Sequence, residues 1–129
     1  MFTSDARNRV QATGLGTYPD LSVVCGRVQT DPEDDHSLVN PIVLVEVLSP
    51  STARYDRTEK FDHYKQIPSL QEYVLVAQDS VRVLRWRRLD AGGWNFDEFT
   101  VGQSLELVSL GVSLSVDAIY EGVFELPGG

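Results

Sequence analysis

The pattern of apolar and polar positions predicts a sheet with one central strand. Residues 42–48 are apolar on both strand faces apart from Glu46. Such a strand lies inside a sheet that is covered on both sides. β-Branched and aromatic residues predict further strands at 2–11, 21–25, 72–76, 81–89 and 94–100.

A helix is predicted between the central strand and the strand at 72–76. Phe61, Tyr64 and Ile67 repeat at helical spacing, which predicts a helix over 56–67 with one apolar stripe. Pro68 ends this helix, because proline lacks a backbone N–H and its ring clashes with the preceding turn.

The remaining segments predict a loop, a hairpin and a short helix. Residues 30–40 are polar and acidic, which predicts a surface loop. The turn at 91–93 joins two strands into a hairpin, and alternating leucines precede a short helix at 116–121. We therefore expect an α/β fold in which a mixed sheet, flanked by a helix, is followed by a C-terminal β-meander.

Composition suits one globular domain spanning residues 1–129. The hydrophobic fraction of 42% is enough for one core, and a chain of 129 residues is too short for two ordinary domains. No segment is long enough to span a bilayer, and the N-terminus lacks the features of a secretory signal. The single Cys25 fits a cytoplasmic protein and is expected to be a small core residue of its strand.

The net charge of −8 argues against a protein that coats nucleic acid through bulk electrostatics. It does not exclude a nuclease, whose site gathers carboxylates and offsets them with bound cations. One local basic cluster could contact a phosphate backbone: Arg82, Arg85, Arg87 and Arg88. An acidic run lacks the glycine and the final glutamate of a calcium loop and is predicted to be solvated: Asp31, Glu33, Asp34, Asp35 and His36.

Glu46 is the most informative single residue. It interrupts six apolar residues and shares a strand face with Ile42, Leu44 and Leu48. Burial of an unpaired carboxylate there would lower the stability by roughly several kcal/mol, so Glu46 must be paired, protonated or bound to a metal. A structural ion pair and a functional site are both open on this feature.

Lys60 is a second charge in an apolar setting. In helical projection it falls inside the stripe, between Tyr64 and Ile67, with Asp56 one turn before it. One interpretation is a lysine that extends to the edge of the core. The other is an ammonium that faces the same interior as Glu46.

Asp20 is less informative alone, since an aspartate after a proline is usually a turn residue. Its position at the start of a strand that pairs near the Glu46 strand favours a cation shared between the two carboxylates. The backbone carbonyl of Val47 would complete the inner shell. His63, at the margin of the helix stripe, is expected to be packed rather than catalytic.

Four stretches together resemble the Uma-two family of restriction-endonuclease-like proteins, within the PD-(D/E)XK nuclease superfamily. They are YPDLSVV at 18–24, VEVLSPST at 45–52, DRTEKF at 56–61 with Tyr64, and QEYVLV at 71–76. The resemblance implies a restriction-endonuclease-like mixed sheet with Mg²⁺ or Mn²⁺ as cofactor and DNA as substrate. It makes Asp20 and Glu46 catalytic metal ligands and Lys60 the catalytic cation. The position of the superfamily's usual lysine holds Leu48, and the resemblance implies that Lys60 takes its place.

Members of this family carry an N-terminal region with helices before the first strand, so we expect this chain to be N-terminally short. That favours a homodimer, which would also suit an enzyme that cuts both strands. The leading hypothesis is a Mg²⁺- or Mn²⁺-dependent endonuclease. The alternative is a catalytically inactive interaction module that retains the nuclease fold, with Glu46 and Lys60 as a structural ion pair.

Overall fold

A computed structural model describes residues 2–3, 7–17, 19–32, 34–48, 54–55 and 58–124. The strands are β1 (Phe2–Thr3), β2 (Asn8–Val10), β3 (Leu15–Thr17), β4 (Leu21–Val23), β5 (Thr30–Asp31), β6 (Asp34–Leu38), β7 (Val43–Leu48), β8 (Glu72–Ala77), β9 (Arg82–Arg88), β10 (Trp94–Thr100), β11 (Ser104–Leu107) and β12 (Val112–Ser115). The helices with described bounds are α1 (Glu59–Tyr64) and α2 (Val116–Phe124).

The main sheet has six strands in the order β1-β4-β7-β8-β9-β10. The β7–β8 pair is parallel, and every other pair in this sheet is antiparallel. The strand predicted from the apolar run is therefore central, as expected for a strand with two apolar faces. The predicted fold class is confirmed, although the meander in the main sheet is limited to β8, β9 and β10.

This sheet separates two apolar cores. On one side, the α1 face, Leu44 and Tyr73 pack with Phe61 and Tyr64 of α1. On the other side, the hairpin face, a separate set of valines packs against the β11–β12 hairpin and α2, with Leu105 among the contacts. Because successive side chains of β7 point to opposite faces, the strand contributes to both cores.

Helix α1 is shorter than the predicted 56–67. It ends at Tyr64, and the next turn closes with shorter-range bonds: the Gln66 N–H donates to His63 O, and the Ile67 N–H to Tyr64 O, both at 3.0 Å. The residue before a proline is disfavoured in the helical conformation, which explains the tightening ahead of Pro68. Asp56, expected one turn before Lys60, lies outside the described residues.

The predicted surface loop at 30–40 is wrong. It contains β5 and β6, which form a four-stranded sheet of order β3-β2-β6-β5. Asp31 is buried and lies 3.5 Å from Arg9. The predicted strand at 2–11 also divides, since β1 joins the main sheet and β2 joins this smaller sheet. Pairing between residues distant in sequence overrides the local polarity of the segment.

The Tyr120 hydroxyl connects α2 to the turn between β8 and β9. Its oxygen lies 2.6 Å from Ala77 O, 2.7 Å from Ser80 O and 2.9 Å from Arg82 O. It also accepts a hydrogen bond from the Arg82 N–H at 3.0 Å. One phenolic group thus supplies polar contacts to a turn that crosses the end of the main sheet.

Replacing Tyr120 with phenylalanine should lower the free energy of unfolding by about 1–2 kcal/mol, because the Arg82 N–H loses its acceptor. Urea unfolding measures this, with exposed Tyr55→Phe as a control expected to stay within about 0.5 kcal/mol of the parent. Burial raises the pKa of Tyr120. Its stabilising contribution is therefore present at neutral pH and lost as the pH rises through the raised pKa. Equal stability of the two variants would contradict this role.

No helix within the described part of the chain is long and apolar enough to cross a membrane.

Candidate functional site

Glu46 lies in the middle of β7, on the α1 face of the main sheet. Its residue exposure is 4%, and its neighbours two positions away, Leu44 and Leu48, belong to the apolar core. The predicted burial of a carboxylate inside this core is therefore confirmed. A charge at this depth requires compensating contacts, since transfer of an isolated carboxylate from water is strongly unfavourable.

The first compensating contact comes from Lys60 on α1. Its Nζ donates to Oε1 of Glu46 and forms an ion pair with it. The two side chains are only 14% and 6% exposed, respectively. The structure thus brings together the two charges that the sequence singled out, with the lysine extending down from the helix to the carboxylate on the strand.

Asp20 immediately precedes β4, beside the backbone of β7. The register pairs Leu21 with Val45, so Asp20 and Glu46 occupy the next opposed positions. Oδ2 of Asp20 accepts a hydrogen bond from the Val47 N–H at 2.7 Å. The side chain is therefore more than a turn residue, because it satisfies a strand donor at the point where the β4–β7 pairing ends.

Carboxylate and carbonyl oxygens are the ligands that a hard divalent cation takes. Asp20 and Glu46 carry carboxylates at opposed strand positions, and the Val47 carbonyl points to the β4 side of β7, as its N–H does. Mg²⁺ binds through one or two carboxylates and retains several waters. Within the ranges described, no cluster of three or more His, Cys, Asp or Glu residues could hold a metal. A cation here would therefore rely on the two carboxylates, the carbonyl and water.

Tyr73 is a member of this site that sequence reasoning missed. Its hydroxyl donates to Oε2 of Glu46 at 3.1 Å. The β7–β8 register pairs Tyr73 with Leu44, which places both side chains near Glu46 on the α1 face. A buried tyrosine usually needs a hydrogen-bond partner, and that rule was the available signal for an acceptor nearby.

The basic cluster has mostly internal partners. Arg88 donates to three carbonyl oxygens, those of Leu70 at 2.7 Å, Ile67 at 3.0 Å and Lys65 at 3.2 Å. Arg82 pairs with Glu98 at 3.0 Å. The expectation that this cluster could face a phosphate backbone is therefore not met for Arg88, whose guanidinium completes the end of the α1 segment. Burial lowers its pKa.

Arg85 is held in a buried polar network on the hairpin face. Its Nη2 lies 2.5 Å from Oδ2 of Asp97, and its Nη1 lies 3.6 Å from Oε2 of Glu72 and donates to the Glu106 carbonyl. Glu72, which has no exposed surface, accepts from the Ser109 N–H at 2.9 Å and from its hydroxyl at 2.6 Å. This network joins the main sheet to the hairpin and removes Arg85 from any DNA-facing surface.

The other candidate residues are apart from the Glu46 site or only partly described. Nδ1 of the half-buried His63 lies 2.8 Å from the Thr13 hydroxyl, away from Glu46. Cys25 follows β4 and is exposed, so its predicted place in the core is wrong. Of the acidic run, Glu33 lies outside the described residues.

A cavity of about 670 Å³ lies between the hairpin face of the main sheet and the hairpin with α2. Its described lining is apolar apart from Asp20 and includes Val45 and Val47 of β7. Asp20 therefore lies at the boundary between this cavity and the end of the β4–β7 ladder. Glu46 and its contacts occupy the opposite face of the same strand.

Comparison with solved structures supports the nuclease-like fold. The chain superimposes with a TM-score of 0.71 on a putative nuclease belonging to DUF820 from Anabaena variabilis. The match covers 93% of this chain and 67% of that chain, at 18% sequence identity. Identity this low supports the fold alone.

Sequence relatives are found in Synechocystis. The chain is 41% identical over 123 residues to the uncharacterized protein slr1290, and 32% identical over 107 residues to the uncharacterized protein sll1609. It spans about three-fifths of the length of these relatives, 62% and 60% respectively. The family model described as "Putative restriction endonuclease" matches residues 1–117. With that match and the fold in agreement, the chain belongs to the Uma2 family, the Uma-two family that its motifs resemble.

Proposed function

We propose that this protein is a Mg²⁺- or Mn²⁺-dependent endonuclease that hydrolyses DNA phosphodiester bonds. The observation that carries the proposal is the contact between Glu46 and Lys60 in an apolar core, with Asp20 bonded to the adjacent Val47 N–H. Glu46 and Lys60 are in direct contact, and Asp20 lies opposite Glu46 in the register where the β4–β7 pairing ends. That combination suits metal-assisted hydrolysis of a phosphodiester.

In this proposal each group of the site has a different role, which follows from its position. Asp20 and Glu46, with the Val47 carbonyl, would hold the cation, which when bound lowers the pKa of a water and polarises a phosphoryl oxygen. Lys60 would place its ammonium beside the scissile phosphate and stabilise the negative charge that develops there. Its apolar surroundings strengthen that interaction, because the local dielectric is lower than that of water.

Substrate binding must overcome a net charge of −8. Arg85 and Arg88 are engaged internally, so they supply little attraction for a phosphate backbone. We infer that binding to DNA depends strongly on the cation, since neutralisation of the site carboxylates removes local repulsion.

Asp20→Asn tests the metal site with least disturbance to the fold. Asparagine keeps an oxygen that can accept the Val47 N–H bond, but it removes the negative charge. Calorimetric titration should show Mn²⁺ affinity falling by at least about tenfold, since even residues that only support a metal ligand typically account for that much. Unchanged affinity would remove Asp20 from the ligand set. Asp117→Asn, an exposed aspartate at the start of α2, is the matched control.

The alternative function is an interaction module without catalysis. The same Glu46–Lys60 ion pair favours it, because a directly paired buried carboxylate is already compensated. Titration of Mn²⁺ into the unaltered protein separates the two functions. Binding supports the nuclease, whereas absence of binding leaves the ion pair with a structural role.

A further inference from the structure

Strand β10 forms one edge of the main sheet. It has seven residues, and among the strands in the described part of the chain it pairs only with β9. The start of that pairing fixes its phase, because the Leu89 N–H donates to the Gly93 carbonyl at 3.0 Å. Backbone bonding alternates along an antiparallel strand, so the N–H and C=O groups of Trp94, Phe96 and Glu98 point away from β9. An edge of this kind can pair with a further strand.

The edge that is open to pairing is short and is centred on Phe96. At its end, the Thr100 N–H donates to Oε1 of Gln103 at 2.7 Å, and the Thr100 carbonyl accepts from the Gln103 N–H at 3.1 Å. Before its start, Gly92 and Gly93 have φ angles of 98° and 83°, a conformation that does not continue a strand. The groups open to a new partner are therefore those of residues 94, 96 and 98.

The side chains along this edge do not protect it from pairing. Phe96 is 44% exposed at its centre. Charged side chains usually protect an edge strand, but here both carboxylates already have partners on β9. Asp97 lies 2.5 Å from Arg85, and Glu98 lies 3.0 Å from Arg82. Their repulsion of an approaching strand is therefore weakened.

This edge is complementary to the same edge of a second copy. Antiparallel pairing about a two-fold axis at Phe96 sets the two phenylalanine rings side by side and uses every outward-facing backbone group. Each carboxylate then faces a neutral side chain: Asp97 faces the partner's Asn95, and Glu98 faces the partner's Trp94. The guanidinium of Arg88 lies 4.5 Å from the centroid of the Trp94 ring, so the approaching carboxylate also meets a positive charge.

The neighbouring register is less favourable. An axis at Asp97 would set two carboxylates directly opposite each other, which is destabilising. It would also require Thr100 to pair with the partner's Trp94, although both backbone groups of Thr100 are already bonded to Gln103. The backbone and the charges thus favour the same register.

We propose that β10 is the interface of a two-fold symmetric dimer, in which the main sheets of two copies of this chain join into one continuous sheet centred on Phe96. Because the same edge is used by both copies, the contact closes as a dimer and does not extend into a filament. This inference goes beyond the proposed nuclease function and does not depend on the metal site.

Sedimentation equilibrium of the full chain tests the dimer, which should have twice the chain mass of 14.4 kDa. Phe96→Lys sets two ammonium groups opposite each other at the axis and should raise the dimer dissociation constant by about 100-fold or more. Val101→Lys is the matched control, since it makes the same charge change at a residue that is 65% exposed and outside the paired stretch. It should change the constant by no more than about twofold.

Disulfide cross-linking tests the register and does not depend on the lysine variant. In a Cys25→Ser background, which removes the native exposed thiol, Phe96→Cys should form a disulfide between copies on mild oxidation. The two Cα atoms would be about 5.5 Å apart, within disulfide range. Glu98→Cys is the control, because its two copies would lie four residues apart along the strands, about 13 Å.

A dimer that is lost in Phe96→Lys alone, with a disulfide at position 96 and none at 98, supports the proposal. A monomeric parent overturns it and leaves the edge to an extended segment of another protein. A dimer that persists in a folded Phe96→Lys protein, or that cross-links as readily through position 98, overturns it as well. If Phe96→Lys fails to fold, as circular dichroism would show, the two cysteine variants decide the question.

Discussion

Replacing Lys60 with alanine is expected to lower the rate of DNA hydrolysis by about 10²–10³-fold, the size typical for loss of one donor that stabilises developing charge. The Lys60 side chain is only 14% exposed, and its ammonium contacts the Glu46 carboxylate. A cation from solvent therefore cannot replace it equally well. Single-turnover cleavage of plasmid DNA with saturating Mn²⁺ measures the chemical step.

Lys65→Ala supplies the matched control for that experiment. Lys65 follows α1 and pairs with Asp62 at 3.4 Å near the surface, so its removal should leave cleavage within about twofold, as expected for a screened contact. Because Lys60→Ala leaves a buried carboxylate without its cation, circular dichroism must first show that the variant is folded at the assay temperature. A folded Lys60→Ala protein that cleaves at the parent rate would refute the catalytic role.

Glu46→Gln should abolish detectable Mn²⁺ binding and lower the free energy of unfolding by about 3–5 kcal/mol, because the Lys60 ammonium is left buried without its partner charge. Glutamine retains an oxygen for the Lys60 or Tyr73 contact but carries no charge for a metal or for the ammonium. Calorimetric titration measures the binding, and urea unfolding of the metal-free protein measures the stability.

The stability change tests the ion pair, whereas Mn²⁺ binding separates the two functions. A purely structural ion pair predicts the same loss of about 3–5 kcal/mol, because the partner charge is left buried in either case. That loss, together with no Mn²⁺ binding by the parent, would support the interaction module. Glu98→Gln is the control, since its exposed pair with Arg82 should contribute at most about 1 kcal/mol and leave metal binding unchanged.

The central strand could be predicted from its apolar run, and the Glu46–Lys60 contact from the two charges that interrupt apolar patterns. A carboxylate in an apolar strand and an ammonium in the apolar stripe of a helix each need a compensating charge, and these two residues pair with each other. The helix spacing placed Lys60 on the stripe, and the strand period placed Glu46 on one face. Their meeting required only that the helix pack on that face.

Other features depend on partners far along the chain, which local patterns do not reveal. The acidic segment forms β6 because it pairs with β2, where Asn8 opposes Leu38. Arg85 looked like a surface cation, yet its partners Glu72 and Asp97 come from the neighbouring strands β8 and β10. Charge and polarity predict exposure only when no opposite charge is brought into contact by the register.

The hydrogen bond from the Val47 N–H to Asp20 gives this aspartate a structural role. The presence of an acidic residue at position 20 is therefore not by itself a sign of a metal site. An acidic or amide side chain at position 20 accepts the Val47 N–H and maintains the edge of the sheet. This structural role alone is enough to select for an acceptor there, whatever the function of the protein. Lys60 is under a different constraint, because its ammonium is paired with Glu46 in a buried setting. Loss of one member leaves the other charge buried, so relatives are expected to keep both residues or to replace both together.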